Sequence, residues 1–97
     1  MSILHTLNTS PFQTHALQQC LSLLSNEDTL LLLEDGVIAS QAKHQLFSDL
    51  SILAEQGRLK VLSSDLTARG IDNLIGDKCS YTDFVTLVAE HKSQIAW

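Results

Sequence analysis

The chain has 97 residues, which is enough for one domain and too few for two, so we expect a single domain over residues 1–97. Its formal net charge is −5, from 11 acidic and 6 basic residues, and no Lys or Arg precedes Lys43. Proteins that grip nucleic acid or an anionic membrane directly usually carry a basic patch, so we expect direct contact with neither. The apolar content of 44% is high for so small a chain and predicts that some apolar surface faces a partner.

The two cysteines, Cys20 and Cys79, form no Cys-x-x-Cys pair and have no metal-ligand spacing. The first residues lack the pattern of a signal peptide, and no apolar run approaches the ~20 residues that span a bilayer. These features indicate a soluble cytoplasmic protein with reduced thiols.

The first half of the chain is dominated by one apolar run, Leu30 to Leu33, which ends in Glu34, Asp35 and Gly36. Such a run closed by a turn signal predicts a central strand that is buried on both faces. The elements predicted here are a strand (3–7), a helix capped by Ser10 (11–26), the central strand (29–34), a loose helical turn (37–40) and a helix (about 43–55) that stops at Gly57.

The second half continues the alternation of strands and helices. Its predicted elements are a strand (58–62), a short helix (66–69), a short strand (78–80), a helix capped by Ser80 or Thr82 that ends near His91, and a tail (93–97) that forms an edge strand or an arm on a neighbour. The last helix should bury the side that carries Tyr81, Phe84, Val85 and Val88, and Trp97 should pack against its own domain or a partner. The alternation predicts an α/β fold with three layers, α/β/α, around a small, mostly parallel sheet of four to five strands.

The glycines are isolated, so the sequence contains neither a dinucleotide fingerprint nor a phosphate-binding P-loop, and we expect no cofactor. Hydroxyl groups in the 8–11 turn could hold an anion, but ordinary capping explains them better. Four histidines, His5, His15, His44 and His91, stand far apart, so we expect no metal site.

Asp35 lies where a receiver-domain phosphoacceptor would lie. That chemistry needs further acids after the first strand, and Leu7 is followed by Asn8 and Thr9. A strand-terminating turn is the better interpretation of Asp35 and Gly36.

Cys20 lies in the apolar stripe of the first predicted helix, where a cysteine most often packs as a small hydrophobe. It is nevertheless our candidate sulfur-handling residue. Cys79 follows Lys78 and precedes a helix start, which is a more activating setting, but strand packing also explains it. The residues show no complete active site.

Several sequence blocks, in order along the whole chain, resemble the TusB/DsrH family. They are MSILHTLNTSPF (1–12), LLLEDGV (31–37), DLTARG (65–70), YTDFV (81–85) and QIAW (94–97). The resemblance implies a DsrEFH-like α/β fold and a heterohexamer with TusC/DsrF-like and TusD/DsrE-like subunits, two copies of each. Such complexes relay sulfur as a persulfide between a TusA-like donor and a TusE/DsrC-like acceptor, and the principal acceptor cysteine belongs to the TusD/DsrE subunit.

The resemblance leaves three hypotheses open. In the first, the chain is an accessory subunit of a sulfurtransferase complex, acting in 2-thiolation of tRNA wobble uridine. In the second, it belongs to the sulfur-oxidation branch, in which a cysteine matching Cys20 is typical, and Cys20 itself carries persulfide. In the third, it is a stand-alone binding module that forms homo-oligomers.

Overall fold

The computed structural model describes residues 2–41 and 43–97. Within these residues no helix has the length and apolar character needed to cross a bilayer. In chain order the elements are β1 (Ile3–Leu7), α1 (Ala16–Leu23), β2 (Thr29–Leu32), a 3-10 helix (Glu34–Ser40), α2 (Phe47–Glu55), β3 (Leu59–Leu62), α3 (Ser63–Ala68), β4 (Asp77–Cys79), α4 (Tyr81–Glu90) and β5 (Ser93–Ala96).

The five strands form one parallel sheet in the order β4-β3-β2-β1-β5. The apolar run therefore lies in the middle strand, as predicted, and Leu30, Leu31 and Leu32 are all fully buried. A parallel strand that is covered on both faces must be apolar at every position, which explains the run.

The two faces of the sheet are covered unequally. Leu30 and Leu32 point to a face covered by α1, the 3-10 helix, α2 and α3, which hold the larger core cluster. Leu31 points to the opposite face, where Phe84 and Leu87 of α4 pack on a smaller cluster. The predicted α/β/α architecture is confirmed, with a single helix on its second face.

Two helices begin later than predicted, because local hydrogen bonds close separate turns. The Ser10 carbonyl accepts the amides of Gln13 and Thr14, and its hydroxyl accepts the Phe12 amide, so Ser10 caps a turn and α1 begins only at Ala16. In the same way, the His44 ring accepts the Leu46 amide, and α2 begins at Phe47 instead of near residue 43.

The shorter elements shift by a few residues. β2 ends at Leu32, two residues early, and Glu34 adopts a left-handed φ of 50°. The predicted loose turn is the 3-10 helix, and β4 covers 77–79 instead of 78–80. α3 starts directly after β3, three residues before Leu66, and makes no side-chain cap.

The prediction for the buried side of α4 was right for Phe84 and wrong for Tyr81, Val85 and Val88. Phe84 and Leu87 face the sheet, whereas Tyr81, Val85 and Val88 are exposed. The start of α4 was right, because Ser80 and Asp83 form a reciprocal capping box. The tail forms the edge strand β5, and Trp97 packs on the larger core cluster as expected for a plug.

Candidate functional site

Cys20 lies in α1 and is completely buried in the larger core cluster. Burial, with a further contribution from the nearby Asp28 carboxylate, raises the pKa of its thiol to about 12. A thiol of this kind is protonated at neutral pH and is a poor nucleophile. In this conformation Cys20 has the properties of a core residue.

Cys79 is the last residue of β4 and belongs to the smaller core cluster on the opposite face of the sheet. Its thiol donates to the Ser80 carbonyl over 3.4 Å. Burial and then the Asp83 carboxylate raise its pKa, while Lys60 opposes them. Cys79 lines a groove of about 230 Å³ between α4 and strands β3 and β4. The sheet separates the two cysteines, so they cannot act on the same sulfur atom within one chain.

We expect both thiols to resist alkylation in the native protein. Iodoacetamide at pH 8 should modify Cys20 on the order of a hundredfold more slowly than after unfolding, because little thiolate forms and the core excludes the reagent. Cys79 should react faster than Cys20, because a groove reaches it. Peptide mass spectrometry of timed reactions checks this. Rapid labelling of Cys20 in the native protein would show that α1 opens and would support the hypothesis that Cys20 carries sulfur.

The carboxyl ends of β2 and β3 are joined by a polar cluster, which includes the predicted turn residue Asp35. Its carboxylate accepts from Arg69 Nε at 3.0 Å and Nη2 at 2.9 Å. The carboxylate of Asp65 accepts the Glu34 amide at 2.7 Å, and the Asp65 carbonyl accepts from Arg69. Asp35 is thus one half of an ion pair, and its partner is the arginine of the DLTARG block.

The four histidines belong to different parts of the fold, in β1 and next to α1, α2 and α4. Among residues 2–41 and 43–97, no group of three or more potential ligands could hold a metal ion. His44 bonds the Ala39 carbonyl, and His91 bonds the Leu87 carbonyl and the Thr29 hydroxyl. The His44 ring ties the turn before α2 to the 3-10 helix, and the His91 ring ties the end of α4 to β2.

His5 is different, because it belongs to a buried network that the sequence did not reveal. Its Nε2 lies 2.9 Å from Asp28 Oδ2, and both side chains are 1% exposed. Trp97 Nε1 lies 3.0 Å from His5 Nδ1. An indole N–H can only donate, so Nδ1 accepts and Nε2 carries the proton that is donated to Asp28. The His5 ring also stacks on the Trp97 ring, with 6.2 Å between the ring centroids.

Asp28 is the centre of this network. Besides His5, its carboxylate accepts the amides of Ile3 at 3.0 Å and Ser25 at 3.1 Å. Burial acts to raise the Asp28 pKa, but the bonds from His5, Ser25 and Ile3 outweigh it and lower the pKa to about 2. Arg58 Nε donates to the Asp28 carbonyl at 2.8 Å and holds the same loop against β3. The network fastens β1 and the last residue of the chain to the loop before β2, and the side chains of His5 and Asp28 at its centre are buried.

The described residues therefore contain two protonated thiols, an ion pair between Asp35 and Arg69 at the carboxyl ends of the strands, and a buried network around Asp28. Neither sulfur atom has a hydrogen bond to a histidine or a lysine in this part of the chain. The 8–11 turn has no helix directly behind it, so no helix N-terminus adds to its hydroxyls.

Comparisons with known proteins agree with the sequence blocks. A family model described as DsrH like protein matches residues 9–94. The chain is 40% identical over 100 residues to Protein TusB of Cronobacter sakazakii and 41% identical over 100 residues to Protein TusB of Escherichia coli. Each alignment covers 98% of this chain and all of the relative.

A solved structure shows the same fold. A protein of unknown function from Methanobacterium thermoautotrophicum matches with a TM-score of 0.63 and 18% identity, over 99% of this chain and 97% of the other. The family predicted from the sequence blocks is confirmed. The chain belongs to the DsrH-like protein family.

Proposed function

We propose that the chain is the TusB-type subunit of a cytoplasmic persulfide-relay complex that acts in 2-thiolation of tRNA wobble uridine. The observation that carries the proposal is the identity of about 40% to Protein TusB along the whole length of that protein. The partners are TusC/DsrF-like and TusD/DsrE-like subunits in a heterohexamer. A TusA-like donor and a TusE/DsrC-like acceptor meet this complex.

The main acceptor cysteine lies on a partner subunit in this proposal. There, the acceptor thiolate attacks the outer sulfur of the donor persulfide, the S–S bond of the donor breaks, and the donor thiolate leaves. The buried thiols of Cys20 and Cys79 support this division of labour, because a group that stays protonated performs such an attack slowly. The acidic charge supports a subunit that does not itself grip tRNA.

Co-expression with TusC- and TusD-like chains from the same genome tests the proposal. We expect the three chains to co-purify as one species with the mass of a hexamer in light scattering. Deleting the gene should abolish 2-thiouridine in bulk tRNA, and the wild-type gene should restore it. A chain that purifies alone as a homo-oligomer would support the stand-alone binding module instead.

The same complementation separates the roles of the cysteines. Cys20→Ala and Cys79→Ala should each restore thiolation to nearly the wild-type level, provided that thermal unfolding shows both variants folded. Loss of thiolation in folded Cys20→Ala alone would favour the hypothesis that Cys20 carries persulfide.

A further inference from the structure

Helix α4 has no fully buried residue, although it alone covers the second face of the sheet. Its contact with the sheet is made by Phe84 and Leu87, which pack on Leu4, Leu31 and Cys79. The opposite face has three helices and a 3-10 helix. A parallel sheet normally has both faces well covered, so the second face of this fold is incomplete.

The exposed side of α4 carries its own apolar stripe. Tyr81, Val85 and Val88 are 69%, 54% and 41% exposed, and their spacing of four and three residues places them along one side of the helix. The Tyr81 ring is held edge-on against Phe84, with 6.0 Å between the centroids. A helix with apolar residues on both its inner and its outer side is typical of a buried helix.

The other exposed positions of α4 also include few charged residues. Thr82, Thr86 and Ala89 are uncharged, so the only charges on the helix are Asp83 and Glu90. A helix that faces water ordinarily carries charged groups over its outer side. Helix α2 differs in its apolar residues, because only Ile52 is exposed there, beside Ser48, Asp49 and Glu55.

The two acids of α4 lie on one flank, because seven residues separate them and the helix turns every 3.6 residues. Both line the groove beside β3 and β4. Lys60 pairs with Asp77 at 3.0 Å and lines the groove together with Asp83, and Lys78 pairs with Asp72 at 2.9 Å. Asp83 and Glu90 form no ion pair among the described residues.

We infer that the outer side of α4 is a docking surface for a partner subunit with an apolar helix or strand face that is bordered on one side by Lys or Arg. The inference rests on the proposed function and names the surface that joins this chain to its complex. Tyr81, Val85 and Val88 form the buried centre of this interface. The carboxylates of Asp83 and Glu90 at its border fix the orientation of the partner.

A second copy of this chain fits the surface poorly. In a two-fold antiparallel pairing of α4 helices, the same flank of each helix faces the other, and Asp83 of one copy lies beside Glu90 of its partner. Two such contacts between like charges, in chains of net charge −5, oppose self-association.

The test compares two substitutions with matched exposure. Val85→Asp alters the stripe, and Ile52→Asp alters an apolar residue that is 53% exposed on the other side of the protein. Both variants should fold, because neither side chain is buried. We expect Val85→Asp to weaken binding to the purified pair of TusC- and TusD-like chains by about thirtyfold or more, and Ile52→Asp to leave it within about twofold.

Charge reversal tests the acidic flank. Glu90→Lys, which leaves the capping box of Ser80 and Asp83 intact, should slow association by about threefold at low salt, and the difference should shrink as salt is raised. If wild-type chain does not bind the pair, the proposed function fails. If wild-type and Val85→Asp bind equally, only the docking surface is wrong. If the isolated chain dimerises and Val85→Asp abolishes this, a second copy is the occupant and the inference is overturned.

Discussion

Replacing Asp28 with asparagine is expected to lower the free energy of unfolding at pH 7 by about 3 kcal/mol. The carboxylate accepts from Ile3, His5 and Ser25 while almost fully buried, so both of its oxygens accept hydrogen bonds. In asparagine, an NH2 group replaces one of these oxygens. That NH2 group would then face an N–H donor instead of accepting its hydrogen bond. The buried donors that lose their acceptor cannot turn to water.

The same network gives stability a pH dependence with a definite sign. The folded pKa of Asp28 is about 2, below the value of about 3.9 expected in the unfolded chain. Its contribution is therefore complete above about pH 5 and is lost as the pH falls through 4 towards 2. The shift corresponds to about 2.5 kcal/mol. Asp28→Asn should flatten this part of the profile, because an amide does not titrate.

Urea unfolding at pH 7, 5 and 3 measures both effects. The matched control is Asp72→Asn, since Asp72 is 84% exposed and makes only a surface ion pair with Lys78. This control should change the free energy of unfolding by less than about 0.5 kcal/mol. If Asp28→Asn costs no more than Asp72→Asn, the network does not stabilise the fold.

The strands were predicted well because their signal is local. Burial on both faces requires apolar residues at successive positions, and the 30–33 run meets this requirement without reference to the rest of the chain. The starts of α1 and α2 were predicted poorly, because the Ser10 carbonyl and the His44 ring close turns that compete with the helix. Propensity and capping patterns do not weigh such competing bonds.

The buried network could not have been predicted from spacing. His5 is 23 residues from Asp28 and 92 from Trp97, and only the order of the strands brings the three together. The sequence did predict packing for Trp97, because a lone tryptophan near a chain end is most often a plug. The hydrogen bond from its indole to His5 became visible only with the structure.

The error on α4 has a physical cause that is informative about function. Apolar residues at helical spacing show that a surface is buried, but they do not show whether the chain's own sheet or another subunit buries it. Because α4 is apolar on two sides, the prediction placed Tyr81, Phe84, Val85 and Val88 together on one buried side. The sheet in fact contacts Phe84 and Leu87.

Gly36→Ala is expected to destabilise the protein by about 3 kcal/mol or more, although Gly36 is not among the residues with positive φ. A Cβ atom at Gly36 would lie 2.1 Å from the Leu7 carbonyl oxygen and 2.9 Å from the Leu7 carbonyl carbon. Both are backbone atoms at the end of β1, so no side-chain rotation relieves the overlap. The 3-10 helix would have to move away from the sheet.

Such a movement would spread, because the Ser40 carbonyl at the end of the 3-10 helix accepts the amides of Leu74 and Ile75, just before β4. The control is Gly57→Ala, where a Cβ meets nothing within 4 Å and only the φ of +71° is strained. That change should cost about 1–2 kcal/mol. Thermal and urea unfolding of both variants check the difference. If Gly36→Ala is no worse than Gly57→Ala, the turn after β2 is not packed tightly against β1.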